Sequence, residues 1–236
     1  RNGTAIASAI LDNSALDAVT VIFRQRPDWD SNNHFGCRLA FADDGLLYAT
    51  LGERASARDL AQDLDTHLGK VVRIRADGSV PDDNPYAQRS DARPEIWSYG
   101  HRNPQGAALH PQTGELWIHE HGPRGGDEIN IARRGRNYGW PVITYGREYS
   151  GLAVGAGLTE APGMEQPLHY WVPSIAPSGM AFYTADRFPA WRGSLFVGSL
   201  KFGQLVRLQL DGERVVREQR LLGERKQRIR DVRQGP

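Results

Sequence analysis

Gly69-Lys-Val-Val-Arg-Ile-Arg-Ala-Asp-Gly78 returns as Gly203-Gln-Leu-Val-Arg-Leu-Gln-Leu-Asp-Gly212, with the two Asp-Gly pairs 134 residues apart. Each copy is a short apolar strand that runs into a turn-favouring dipeptide. A second design surrounds it. Arg38-Leu-Ala-Phe-Ala-Asp-Asp-Gly-Leu-Leu-Tyr-Ala-Thr50 reads as two strands about an Asp-Asp-Gly turn. Ala107-Ala-Leu-His-Pro-Gln-Thr-Gly-Glu-Leu-Trp-Ile-His119 repeats it, with Gly114 in the place of Gly45. Phe188-Pro-Ala-Trp-Arg-Gly-Ser-Leu-Phe-Val197 is a weaker third copy, with Gly193 at the turn. The unit therefore recurs about every 70 residues, and 134 is about two such steps. Short antiparallel strands in recurring units predict an all-β fold, a β-propeller or another radial repeat. A two-sheet β-sandwich with coincidental Asp-Gly hairpins is the competing reading. The period exceeds that of a compact blade, so long loops must carry the excess, and loops on a rigid scaffold are where sites are built.

The 236 residues suffice to bury a core as one domain or two small ones. Their net charge of +1 argues against general nucleic-acid binding, and the apolar runs are too short to span a bilayer. The 26 glycines and 14 prolines describe a turn-rich folded chain. Helical periodicity is confined to Leu60, Leu64 and Leu68, which predict three turns within Ser56–Leu68 ended by Gly69. A single cysteine, Cys37, excludes an intrachain disulfide framework and a cysteine-based metal site. The chain begins at Arg1 without a methionine and ends in the turn dipeptide Gly235-Pro236, so both ends read as cut.

Four stretches are too polar and too rich in Gly and Pro for core strands: Ser31–Gly36, Gly100–Gly106, His119–Glu128, and Ser199–Gly203 with Gln227–Asp231. His119 and His121 at i, i+2 would share one face of a strand, as a zinc site requires, but no third ligand lies at a recognised spacing. Plain hydrogen bonding of these histidines is the simpler reading. Gly122-Pro123 followed by Asp127-Glu128 offers bent backbone carbonyls and carboxylates, an oxygen set that suits calcium. Arg228 and Arg230 would share a face if the segment is a strand, and with Lys201 would hold a ligand bearing several carboxylates. Arg225 and Lys226 beside them fit a solvated charged strand equally well. His34 is a candidate general base because imidazole titrates near neutrality, although a loop histidine can simply be solvated.

Taken in order, these clusters resemble the glucose/sorbosone dehydrogenase family, specifically its soluble aldose sugar dehydrogenases that use pyrroloquinoline quinone (PQQ). The resemblance rests on His34-Phe-Gly-Cys-Arg-Leu39, Leu51-Gly-Glu53, Leu68-Gly-Lys-Val-Val-Arg73, Asp77-Gly78 and Asp82-Asp-Asn-Pro85. It continues through Glu95-Ile-Trp-Ser-Tyr-Gly-His-Arg-Asn-Pro-Gln-Gly106, Glu120-His-Gly-Pro-Arg-Gly-Gly-Asp-Glu-Ile-Asn130, Asn137-Tyr-Gly-Trp-Pro141, Ser199-Leu-Lys201 and Gln227-Arg-Ile-Arg-Asp-Val232.

The resemblance implies a six-bladed propeller with PQQ on its top face, of which one partial domain over 1–236, about four blades, is expected here. Family members carry roughly two further blades ahead of the region matching Ser31 and a closing strand after Val232. By the same resemblance His34 matches the catalytic base, and Glu53 stands where the glucose dehydrogenase branch has an aspartate partner for it. Gln62, Arg102, Asn103, Lys201, Arg228 and Arg230 match quinone-contacting positions, and Arg102 would also stabilise the reduced quinone oxygen. Gly122 and Pro123 match the carbonyl ligands of the calcium that bridges to PQQ, Glu128 and Tyr138 match a further calcium site, and Trp171 matches an aromatic wall for the sugar. The implied reaction is aldose oxidation at C1 to the lactone, in an exported bacterial protein, periplasmic or secreted, that passes electrons to an acceptor the sequence does not name. A non-catalytic ligand-binding propeller of the same superfamily is the alternative. It would keep the Asp-Gly hairpins and dispense with His34 or the Lys/Arg cluster.

Overall fold

The computed structural model describes residues 1–235, and Pro236 lies outside them. Among the described residues, strands β1 (Ala5–Asp12) and β2 (Ala15–Arg24) form an antiparallel hairpin. Three four-stranded antiparallel sheets follow. The first holds β3 (Gly36–Phe41), β4 (Leu47–Leu51), β5 (Lys70–Ile74) and β6 (Ile96–Tyr99). The second holds β7 (Pro104–Leu109), β8 (Leu116–Glu120), β9 (Asp127–Ile131) and β10 (His169–Trp171). The third holds β11 (Pro177–Phe182), β12 (Leu195–Ser199), β13 (Gln204–Asp211) and β14 (Arg214–Leu221). Each sheet is a meander in chain order, and its first strand lies against that of the next, β3 on β7 and β7 on β11. This is the radial arrangement of a β-propeller. Three complete blades and one hairpin stand where about four blades were expected, because the residues ahead of Gly36 form two strands rather than four.

The core lies between the blades. Trp117, Ile129, Ile131 and Trp171 of the second pack on Met180, Phe182, Leu195, Val197, Val206 and Leu208 of the third. Val71 of the first meets Ala107, Leu116 and Ile118 of the second, and Ile6 and Phe23 of the hairpin cover Leu47, Ala49, Leu51, Val72 and Ile74. Thus each of these clusters buries the apolar face of one unit against its neighbour.

Two expected elements take other forms. Within Ser56–Leu68 only Arg58–Ala61 is helical, as a single 3₁₀ turn. The fully buried Lys70 explains this, because its ammonium donates to the carbonyls of Leu60, Ala61 and Leu68, at 2.9, 3.0 and 2.6 Å. Asp63 and Thr66 also accept from backbone N–H groups two residues on, a local pairing that competes with helix. In the third copy of the hairpin unit, Pro189–Trp191 is a 3₁₀ turn, and the partner strand of β12 is β11. The Asp211-Gly212 pair turns β13 directly into β14, whereas Asp77-Gly78 opens a long loop before β6. That loop is clipped to β5 by Arg73, which pairs with Asp83 and donates to Asn84 Oδ1 at 2.8 Å.

Candidate active site

The loops at the starting ends of β3, β7 and β11 converge, and His34 stands among them. Its loop carries positive φ at His34 (+50°) and Gly36 (+78°), and Arg54 (+68°) and Ala55 (+61°) adjoin it. Gly52 is indispensable to this approach, since a Cβ there would lie 2.1 Å from the His34 carbonyl oxygen. The result is a contact between His34 Nδ1 and Glu53 Oε2 of 2.8 Å. Glu53 is 1% exposed, and the same oxygen accepts from the Ala55 amide. A carboxylate acceptor places the imidazole proton on Nδ1 and leaves Nε2 as the basic atom.

A chain of hydrogen bonds connects this pair to the other candidate residues. The Glu53 amide donates to the Arg102 carbonyl at 3.0 Å, and Asn103 Oδ1 accepts from the Gly36 amide at 3.1 Å. Arg102 is buried over the Trp140 ring, and its Nη1 donates to the His121 carbonyl at 2.9 Å while Nε has no partner. His121 Nε2 donates to the Pro177 carbonyl and His119 Nε2 to the Ser178 carbonyl, at 2.5 and 2.6 Å. The two histidines are therefore hydrogen-bonded to β11, as the simpler sequence reading holds. Burial pushes the His119 imidazole down to about 3. From β11 the path continues: the Lys201 amide donates to the Ile175 carbonyl at 3.2 Å, and Ser178 Oγ donates to the Ile229 carbonyl at 2.6 Å. Lys201, Arg228 and Arg230 thus belong to the same end of the sheets. Their side chains are exposed and form no ion pair with a carboxylate among the described residues. Residues 226–235 contain no strand, so Arg228 and Arg230 are presented by an irregular segment, contrary to the strand reading. Gln62 is committed to Asn137 and to the Trp140 carbonyl.

Gly122 and Pro123 lie in a turn organised by Asp127, which sequence reading valued only as a possible ligand. Asp127 accepts from the amides of Gly122, Ile175 and Ala176 and from Ser174 Oγ, so one buried carboxylate ties the second blade to the third. A Cβ on Gly122 would lie 2.1 Å from the Gly125 oxygen, which makes the turn tight enough to exclude any side chain there. Below it, Glu128 is pushed up to about 8 by burial and by the neighbouring Glu120. Glu120 in turn accepts from His101 Nδ1 at 3.0 Å and from the Arg102 amide at 2.5 Å. Tyr138 stacks on His101 at 4.7 Å, with its hydroxyl donating to the Ile131 carbonyl.

Trp171 is not a wall of this site. It is 4% exposed within the core between the second and third blades, and its indole N–H donates to Glu218 Oε2 at 2.9 Å. Its place in β10 turns it inward and leaves its neighbours Tyr170 and Val172, 45% and 61% exposed, outside.

The family model described as "Glucose / Sorbosone dehydrogenase" matches residues 1–236. The chain belongs to that family. It is 49% identical to aldose sugar dehydrogenase YliI of Escherichia coli over 99% of its own length and 64% of that protein's. A crystal structure of a glucose dehydrogenase superposes with a TM-score of 0.96 at 53% identity, over 99% of this chain and 68% of that one. The PQQ-bound form of an aldose sugar dehydrogenase from Streptomyces coelicolor superposes with a TM-score of 0.77 at 29% identity, over 98% of this chain and 63% of that one. The chain therefore spans about two thirds of the length of these relatives. No helix among the described residues is long and apolar enough to cross a membrane.

Proposed function

We propose that this chain carries the catalytic base and most cofactor-holding groups of an aldose dehydrogenase that uses PQQ and calcium. The observation that carries the reading is the 2.8 Å bond between His34 Nδ1 and the buried Glu53 carboxylate. The donor set suits a quinone with three carboxylates. Among the described residues Lys201, Arg228 and Arg230 are cations without carboxylate partners, and Arg102 keeps an enclosed, unpaired Nε. The Gly122 and Pro123 carbonyls, in a turn with no room for a side chain at position 122, suit a calcium ion held by neutral oxygens, and Glu128 and Tyr138 lie below for a further ion.

His34 Nε2 takes the proton of the anomeric hydroxyl. Glu53 holds the ring in the Nδ1–H tautomer and stabilises the imidazolium that forms. When bound, PQQ supplies the acceptor for the hydride that leaves C1, which completes a two-electron oxidation of the sugar to its lactone, with calcium as Lewis acid. Arg102, whose guanidinium lies over the Trp140 ring, would supply the positive charge that stabilises the reduced quinone oxygen. A periplasmic or secreted location and a separate electron acceptor accompany this reading.

Reconstitution with PQQ and calcium, followed by an aldose panel with an artificial electron-accepting dye, tests it. Dye reduction is expected, with turnover lowered by about two to four orders of magnitude in His34→Ala while PQQ affinity stays nearly unchanged. Tight PQQ binding without any turnover would instead favour the non-catalytic ligand-binding propeller.

A further inference from the structure

Arg54 follows the candidate base's partner in sequence and is fully buried. It has no carboxylate in ion-pair contact among the described residues, and its Nη1 is enclosed without a partner. Its backbone lies at φ +68°. A buried charge without an ion pair, an unpaired donor and a left-handed backbone each oppose folding. What the residue obtains in return is concentrated on one turn. Nε donates to the Asn33 carbonyl at 3.1 Å, and Nη2 donates to the Ser31 carbonyl and to Asn2 Oδ1. The Arg54 amide donates to the His34 carbonyl at 3.3 Å, and the guanidinium carbon sits 3.6 Å from the centre of the Phe35 ring. Residues 31, 33, 34 and 35 are thus all gripped by Arg54.

We propose that Arg54 is the positioning residue of the base: its guanidinium clamps the Ser31–Phe35 turn so that His34 faces the Glu53 carboxylate. The assignment rests on the reading of His34 as the base. The planar fork of arginine matters here, because one rigid group must reach carbonyls two residues apart while its face covers an aromatic ring. A lysine has the charge but not the fork. Asn2 extends the clamp to a third segment, since its own backbone pairs with Trp29 at the foot of the β1–β2 hairpin.

The test uses nitrogen-15 NMR of the His34 imidazole and hydrogen exchange of the whole chain, both independent of turnover. In the unsubstituted protein the Nδ1–H of His34 is expected as a slowly exchanging resonance bonded to a carboxylate. In Arg54→Gln and Arg54→Lys that resonance broadens, and amides 33–36 exchange about tenfold faster or more, while those of β8 and β9 keep their protection. In the PQQ- and calcium-loaded protein, kcat falls by roughly tenfold to a hundredfold with KM little changed, because a misplaced base loses rate rather than binding. Should Arg54→Gln not fold, Phe35→Leu and Asn2→Ala each remove one contact of the clamp and are expected to give smaller changes of the same kind. An unchanged His34 resonance and unchanged local exchange in these variants would overturn the proposal, as would protection lost equally throughout the chain. Full turnover in His34→Ala would refute the base and leave the clamp, seen by NMR, standing.

Discussion

Strand β3 exposes every second residue, with Leu39 and Phe41 at 46% and 60%, whereas β11 keeps five of its six residues buried. Both are first strands of four-stranded blades, and both end in an apolar-Ala-Phe run, Leu39-Ala-Phe41 and Met180-Ala-Phe182. The difference lies in what stands beside them. One face of β11 meets the second blade in the largest core cluster, and its Gly179 lies against the 231–232 backbone on the other side. The covered face of β3 meets the second blade, but its other face looks toward the β1–β2 hairpin. That hairpin reaches β4 and β5 through Ile6 and Phe23 and leaves Leu39 and Phe41 bare. The hairpin itself shows Ile10, Leu11, Leu16 and Val19, all more than 60% exposed. In a radial repeat, an apolar face is a statement about a neighbour, and it is buried only where that neighbour is present.

The largest loss is expected on the doubly covered side. Trp117 is 1% exposed, with its ring edge-on to Phe182 of the third blade at 5.5 Å and stacked on His110 of its own blade at 5.7 Å. Trp117→Ala is expected to cost about 3–5 kcal/mol in denaturant unfolding. A loss below about 1 kcal/mol would mean that the two blades are not a single cooperative unit.

Lys70 comes next. Its three donors meet three carbonyls, so Lys70→Met leaves those carbonyls buried and unpaired while removing the cost of burying a charge. Each lost partner is worth about 1–3 kcal/mol, and partial relaxation of the loop brings the expected net cost to about 2–3 kcal/mol. The loop 60–68 is expected to lose hydrogen-exchange protection first, and unchanged protection there would show that Lys70 does not hold it.

The helix expected at Ser56–Leu68 fails for this reason, and the failure shows what sequence can and cannot carry. Leu60, Leu64 and Leu68 have the right period, but the residue that draws off the Leu60, Ala61 and Leu68 carbonyls, Lys70, lies on the next strand, where no periodicity points to it. The Asp-Gly repeat, by contrast, is a local signal for a local structure, and it locates β5, β13 and their blades correctly. The site divides the same way. His34 and Glu53 are visible in the motif strings that resemble the family, and the structure brings them into contact. Arg54 and Asp127 act through backbone groups far along the chain, which no motif spells out. Trp171 is a site residue by the family resemblance, yet strand alternation in β10 turns it into the core. A charged residue directly after the Gly-Glu pair that follows β4 is the one sign of Arg54 in the sequence.

The same blade interface carries an ionic device. Glu218 on β14 accepts from His169 and Trp171 on β10, at 3.1 and 2.9 Å, and pairs with Arg220. Its carboxyl is pushed down to about 2, chiefly by the His169 bond and then by Arg220 and Trp171. A carboxylate depressed in the folded state takes up its proton later than in the unfolded chain, so its contribution is present above pH ~4.5 and lost as pH falls toward 2. Glu218→Gln is therefore expected to flatten acid unfolding across that window by about one proton. An unchanged acid slope would place the depression elsewhere.

The smallest effect on stability is expected where the comparison began. Leu39 and Phe41 are already in contact with water, so replacing both by serine removes little burial, and the folded chain should change by no more than about 0.5 kcal/mol per site. Association is another matter. An exposed apolar face beside the open edge of a sheet is a ready surface for a second chain, because burying it returns roughly 25 cal/mol for each Å² covered. The 236-residue chain is expected to self-associate at micromolar concentration, and Leu39→Ser with Phe41→Ser to shift sedimentation toward the monomer while the melting temperature stays put. If the paired substitution instead cost several kcal/mol in a monomeric protein, those side chains would be buried in solution, and the bare face of β3 would not exist. If the unsubstituted chain were monomeric and melted cooperatively, the contrast between β3 and β11 would carry no energetic weight, and the hairpin alone would suffice to complete the first blade's neighbourhood.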